Sequence, residues 1–273
     1  MALPAPRADG TCVVTGASSG IGAEIARRLA ARGYGLTLVA RRADRLQQLA
    51  TELAPAGSPR VEVAAADLTE PGARAELVDE VGRRGLEIDV LVNNAGFSTT
   101  GPVRRADRQR EVALVRTDVE AVVDLCTLVV PGLAERGRGA ILNVASTAAF
   151  QPLPGQAAYS AAKAFVLGYS QALRAELAGT GVQVTALCPG PVDTEFFDAA
   201  GFSQHERDAM LPRFMWLDPD QVAVAALDGL DHDRAVVIPG LMNRISARGA
   251  YLAPRSVLLP ILRRFYPLMR DRA

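Results

Sequence analysis

The chain has 273 residues and a mass of 28.9 kDa, with 49% apolar residues, 30 basic and 30 acidic groups, and a pI near 6.8. That length buries one substantial core and makes one domain the default. The balance of charge and hydrophobicity excludes a disordered polymer and lacks the basic excess of a nucleic-acid-binding protein.

Short β-branched runs at residues 11–15, 35–40, 60–65, 89–93, 140–145, 182–187 and 235–238 predict seven strands. Amphipathic stretches at 23–32, 43–54, 73–84, 108–135, 157–178 and 220–230 predict helices that cross over between them. Near-continuous apolar strands alternating with helices imply a parallel sheet covered on both faces, a doubly wound α/β domain over residues 8–240. Ligands then bind at the C-terminal ends of the strands.

Two regions depart from the alternation. Residues 193–217 contain Phe196, Phe197, Phe202, Phe214, Met215 and Trp216, enough apolar bulk for a helical lid over a pocket; an ordinary packed insert is the alternative. Residues 241–273 form a basic amphipathic extension with seven arginines against one acid, interleaved with apolar residues from Tyr251 to Leu268. Such a tail resembles an interfacial segment that makes peripheral contact with anionic lipid. Pro254, Pro260 and Pro267 limit helix length, which favours packing against the domain or a second subunit.

Cys12, Cys126 and Cys188 are far apart, odd in number and set in apolar runs, as expected of buried thiols in a reducing, cytoplasmic setting. Residues 1–10 lack the apolar core of a signal peptide, and no run reaches the roughly 18 apolar residues of a membrane span. His205 and His232 have no second ligand nearby in sequence, so no metal is expected, and no Gly-x-Ser-x-Gly elbow supports a serine hydrolase.

The chemistry begins directly after the first strand, where Thr15-Gly16-Ala17-Ser18-Ser19-Gly20-Ile21-Gly22 leads into a helix. Glycines there let the backbone approach a pyrophosphate, and free amide N–H groups at a helix start attract its charge. The second strand ends in Arg41-Arg42 where an NAD-binding unit would place an acid for the ribose hydroxyl. Two guanidinium groups suit a 2′-phosphate and predict NADP(H); solvent-facing arginines at a helix start are the alternative.

Of the 30 basic residues only Lys163 is lysine. It follows Tyr159 by four in a helical stretch, so the two side chains share a face. A cation within about 4–6 Å favours phenolate and makes a tyrosine a usable proton donor and acceptor. Ser146 ends a different strand, where its hydroxyl could bind an oxygen on which charge develops.

The Thr-Gly-x-x-x-Gly-Ile-Gly turn, Asn93-Asn94-Ala95-Gly96, Ser146 thirteen residues before Tyr159, the Tyr-x-x-x-Lys pair and Pro189-Gly190 together resemble a short-chain dehydrogenase/reductase over residues 11–240. The resemblance implies a Rossmann-type seven-stranded domain and hydride transfer between NAD(P) and a carbonyl or alcohol carbon. Tyrosine would be the acid/base, serine the oxygen binder, and lysine the holder of the nicotinamide ribose. It also implies that Asp67 and Leu68 meet the adenine, Asn93, Ala95 and Gly96 the ribose side, and Val192 and Thr194 the nicotinamide. Read without it, Asp67 could cap a helix, Asn93–Gly96 could be a simple turn, and Thr194 could cap the lid. One residue departs from the family: an asparagine whose backbone carbonyl helps hold a water leading to the lysine is replaced by Asp118. Its charge near Lys163 would favour the ammonium form and alter the pH dependence.

The expected function is an NADPH-dependent oxidoreductase acting on a small-molecule carbonyl or alcohol, lipophilic in view of the lid, as a homodimer or homotetramer. The alternative is a catalytically weak NADP-binding regulator or scaffold with the same fold.

Overall fold

The computed structural model describes residues 3–202, 207 and 212–265. Seven strands form one sheet: β1 Gly10–Thr15, β2 Leu36–Ala40, β3 Val61–Ala65, β4 Glu87–Asn93, β5 Gly139–Val144, β6 Val182–Leu187 and β7 Val236–Val237. All are parallel, in the order β3-β2-β1-β4-β5-β6-β7. This is the Rossmann-type single domain predicted, with β7 shorter and β4 longer than the sequence pattern implies.

Successive strand side chains point to opposite faces, and both faces are covered, so the strands are apolar throughout. Val14, Leu38, Val90, Val92 and Leu142 pack with Ile25 and Leu29 of α1 Gly20–Ala31, Leu46 of α2 Ala43–Leu53, and Leu227 of the helix Pro219–Asp231. Val13, Val39, Leu91, Ile141 and Val184 pack on the other face with Leu77 of α3 Pro71–Arg83 and with two later helices that supply Leu125 and Val166. These later helices are α5 Ala121–Glu135, which continues from α4 Arg108–Val115, and α6 Ala157–Glu176.

The stretch 108–135, predicted as one helix, is broken by a π-helical turn at Arg116–Glu120. One extra residue per turn rotates Asp118 into the interior, where it is fully buried. The strand order reverses between β1 and β4, opening a crevice at their C-terminal ends.

The segment predicted as a lid contains a short helix, Phe196–Ala199. Phe197, Phe202 and Trp216 pack together, with ring centroids 5.3 Å apart for Phe197 and Phe202 and 5.0 Å apart for Phe197 and Trp216, whereas Phe214 is 67% exposed. His205 lies outside the described residues. The C-terminal extension folds into helices Leu241–Leu252 and Arg255–Phe265, and Pro267 and Leu268 also lie outside the described residues. Among the described residues no helix is long and apolar enough to cross a membrane.

Candidate active site

The turn from β1 to α1 is organised by Thr15 and Gly16. Thr15 is buried, donates its hydroxyl to the Val92 carbonyl at 3.1 Å and accepts the Asn94 and Ala95 amides at 2.9 and 3.0 Å. The Asn94 side chain donates back to the Thr15 and Gly16 carbonyls at 2.9 and 3.3 Å, so the loops after β1 and β4 are stitched together. Gly16 has φ +66°, a left-handed conformation, and a Cβ there would lie 2.9 Å from the Ala95 Cα.

A cavity of about 500 Å³ runs along the C-terminal ends of the strands. Gly16, Ser18, Ser19, Gly20, Ile21, Arg41, Arg42, Asp67, Leu68, Ala95 and Gly96 line one end. Ser146, Tyr159, Lys163, Pro189, Gly190, Val192 and Thr194 line the same cavity further along. Glu195, Phe196 and Phe197 of the predicted lid segment line it, and so do residues that the sequence reading did not single out: Phe97, Thr117, Gln151, Leu153 and Gln156. Most of these sit in loops whose side chains follow neither a 3.6 nor a 2 residue period, so only the folded chain brings them together.

Three residues in the expected set stand behind the wall rather than in it. Gly22 packs against the Gly16 carbonyl and the Asn94 amide. Asn93 points into the sheet, because it is the last residue of β4; its side chain donates to Asn143 Oδ1 at 2.9 Å, and Asn143 donates to Ser170 Oγ at 3.0 Å. The neighbour Asn94 takes the loop position instead. Asp118 is behind the wall as well, and reaches the site through Lys163.

Asp67 serves in two ways: it lines the cavity and its Oδ1 accepts the Thr69 amide at 3.0 Å and the Thr69 hydroxyl at 2.8 Å. Burial works against its charge, but the Thr69 hydrogen bonds and Arg41 hold the carboxyl below its ordinary value. Thr194 likewise lines the cavity and accepts the Phe196 amide at 3.3 Å at the start of the short helix. Arg41 and Arg42 both line the cavity rather than pointing only to solvent. Arg42 donates to Ser18 Oγ at 3.0 Å and Ser19 Oγ at 2.9 Å, and pairs with Glu195 at 2.9 Å; Arg45 pairs with the other Glu195 oxygen at 3.2 Å. Arg42 holds the Glu195 carboxyl below its usual range.

Ser146 follows β5, with its hydroxyl accepting the Ala148 amide at 3.1 Å and donating to the Pro189 carbonyl at 3.4 Å. Tyr159 and Lys163 lie on one face of α6, and the ammonium is 5.7 Å from the phenol ring centre. Lys163 donates to the Val144 carbonyl at 3.0 Å and forms an ion pair with Asp118 Oδ2 at 2.9 Å, and both side chains are buried. The other Asp118 oxygen accepts the Phe97 amide at 3.1 Å. Gly96 makes room for this carboxylate, since a Cβ there would lie 2.8 Å from Asp118 Oδ2.

These contacts govern the protonation states. Burial pushes Lys163 down, but Asp118 first and Tyr159 second outweigh it and raise the ammonium above its ordinary value. Burial raises the Asp118 carboxyl, against the pull of Lys163 and the Phe97 amide. Lys163 and the Ser146 hydroxyl lower the Tyr159 phenol, in the direction expected of its lysine, but burial outweighs them and Asp118 adds to the rise, so the phenol stands above its ordinary value. A paired cation projects less field than a lone one, so Asp118 offsets part of the lowering that Lys163 exerts on the Tyr159 phenol.

Residues 10–204 match the short chain dehydrogenase family. Sulfoacetaldehyde reductase 2 of Chromohalobacter salexigens is 37% identical over 214 residues, 77% of this chain and 84% of that protein. A short-chain dehydrogenase from Sphingobium yanoikuyae, solved in complex with NADPH, is 36% identical with a TM-score of 0.79, covering 92% of this chain and 95% of that one. The bulky-bulky ketone specific alcohol dehydrogenase from Comamonas testosteroni is 33% identical with a TM-score of 0.74, covering 92% and 93%. Motif order, strand order and overall likeness agree, and the chain belongs to the short chain dehydrogenase family of oxidoreductases.

Proposed function

We propose that the protein is an NADP(H)-dependent oxidoreductase interconverting a carbonyl and an alcohol on a lipophilic small molecule. One observation carries the reading: Ser146, Tyr159 and Lys163 converge on the same cavity as the glycine turn and Arg41-Arg42. The residues suit the dinucleotide, because Gly16 offers backbone where a Cβ would clash and Arg41 and Arg42 offer guanidinium groups where NAD would want a carboxylate. The NADPH bound to the Sphingobium relative, 36% identical, supports the same choice.

When bound, NADP(H) supplies or accepts the hydride at the substrate carbon. Arg41 and Arg42 hold the 2′-phosphate, and the turn around Gly16 to Gly20 holds the pyrophosphate. Ser146 donates to the substrate oxygen and places it against Tyr159, whose phenolic proton passes to that oxygen during reduction and returns during oxidation. Lys163 stabilises the phenolate left behind. Two of its three N–H donors face Val144 and Asp118, which leaves one for a ribose hydroxyl. Phe97, Leu153, Phe196 and Phe197 provide the apolar wall for the substrate. The exposed apolar side chains Val112, Val115 and Leu128 of α4 and α5 offer a face for a homodimer or homotetramer.

Tyr159→Phe tests this reading: turnover falls by about 10²–10⁴-fold, while the dissociation constant for NADPH stays within about threefold of the parent. Near-normal turnover in that variant removes the acid/base role. A second reading, an NADP-binding regulator with weak catalysis, draws on the engagement of Lys163 by Asp118. It requires that the wild-type protein bind NADPH yet turn over none of a panel of aldehydes, aliphatic ketones and bulky ketones.

A further inference from the structure

The two C-terminal helices carry a surface that the chemistry does not use. In Leu241–Leu252 the buried positions are Asn243 and Ala247. Asn243 anchors the helix by donating its side-chain amide to the Met215 and Pro239 carbonyls at 3.1 and 3.2 Å. At 100° per residue, Leu241, Ile245 and Leu252 fall on the face opposite those anchors, and they are 66%, 55% and 79% exposed. Arg244 and Arg248 border one edge of this apolar stripe and are exposed. In Arg255–Phe265, Val257, Leu259 and Ile261 are exposed alongside Arg255, Arg263 and Arg264.

Charge is segregated with equal sharpness. Residues 1–240 hold 23 basic against 29 acidic groups, whereas residues 241–265 hold five arginines and no acid. A face that only needed solvation would not expose this apolar bulk, and an ordinary protein contact would not need so one-sided a charge. Apolar side chains that enter an acyl boundary, edged by guanidinium groups that pair with phosphate, describe an interfacial helix on anionic lipid.

The position of the surface gives it a use. Tyr251 packs edge-on against Phe150, with ring centres 6.2 Å apart, and Arg255 donates to the Phe150 carbonyl at 3.3 Å. Phe150 closes the short turn Thr147–Phe150 that follows Ser146, and Thr147, Ala148 and Gln151 around it line the cavity. We propose that helices Leu241–Leu252 and Arg255–Phe265 dock the protein on the surface of an anionic bilayer, with the Ser146 side of the cavity beside the lipid.

Sedimentation of the full chain with vesicles tests this. Vesicles of phosphatidylglycerol and phosphatidylcholine at about 0.1 M salt retain the protein, pure phosphatidylcholine vesicles do not, and 1 M salt releases it. The variant Arg244→Gln with Arg248→Gln lowers the partition coefficient roughly thirtyfold, at about fivefold for each arginine. Leu241→Ser with Ile245→Ser and Leu252→Ser lowers it at least as much, with an unchanged circular dichroism melt. Failure of the wild type to bind anionic vesicles overturns the proposal, and so does binding that both variants retain. Light scattering adds a third decisive outcome: if the serine variant loses subunits and the wild type ignores vesicles, the face belongs to a second copy of the chain.

Discussion

The two ends of the cavity each hold a cation paired with a carboxylate, and the pairs are built from opposite materials. Arg42 and Glu195 sit in water, with side chains 43% and 47% exposed, and Arg42 shares its donors with two serine hydroxyls. Lys163 and Asp118 are 6% and 0% exposed and have little beyond each other, one carbonyl and one amide. In water a pair gains little and exchanges readily for a ligand, so under the proposed function the Arg42 end gives up Glu195 to the 2′-phosphate. In the interior the same pairing is held by the cost of leaving either charge alone, so the Lys163 end is a fixed electrostatic setting rather than a latch.

Removing one charge from the buried end is the most severe way to break the comparison. Lys163→Met strands Asp118 and lowers stability to urea by about 3–5 kcal/mol, while Lys163→Met with Asp118→Leu recovers most of that loss. A single-variant loss no greater than that of Glu195→Gln would mean that burial does not separate the pairs. The exposed end is next in size, read through the ligand: Arg41→Ala with Arg42→Ala weakens NADPH binding by about 10–100-fold and leaves NADH affinity nearly unchanged, measured by fluorescence titration.

Asp118→Asn sharpens the comparison through pH. The carboxylate raises both Tyr159 and Lys163, so removing its charge lowers both pKa values. In the proposed mechanism alcohol oxidation needs Tyr159 deprotonated, and its rate is therefore expected to rise at lower pH in Asp118→Asn than in the wild type. Superimposable pH–rate profiles would put Asp118 outside the proton path. The smallest effect belongs to Glu195→Gln, which changes stability by less than about 1 kcal/mol and tightens NADPH binding by less than about fivefold, since it frees Arg42 of an exposed competitor.

Legibility followed the same division. The glycine turn, Arg41-Arg42 and the Tyr159–Lys163 spacing could be read because each depends on residues adjacent in sequence or one helical turn apart, where geometry is local. Asn93 and Asn94 could not be told apart, since which of two neighbours turns into the sheet depends on where β4 ends. The lid phenylalanines were visible as apolar bulk, yet Phe197 packs on Trp216 while Phe214 faces water, a choice made by contacts across the segment.

What the sequence determined by itself was the alternation of strand and helix, the glycine turn after β1 and the Tyr159–Lys163 pair that lines the same cavity, because periodicity and short spacings survive in one dimension. Only the tertiary structure decided that Asp118, which the family resemblance puts near Lys163, pairs with it directly at 2.9 Å across 45 residues, and that burial outweighs the lysine's lowering of the Tyr159 phenol. Desolvation and pairing depend on what surrounds a group in space, and the π-helical turn that swings Asp118 inward leaves no periodic trace in the chain.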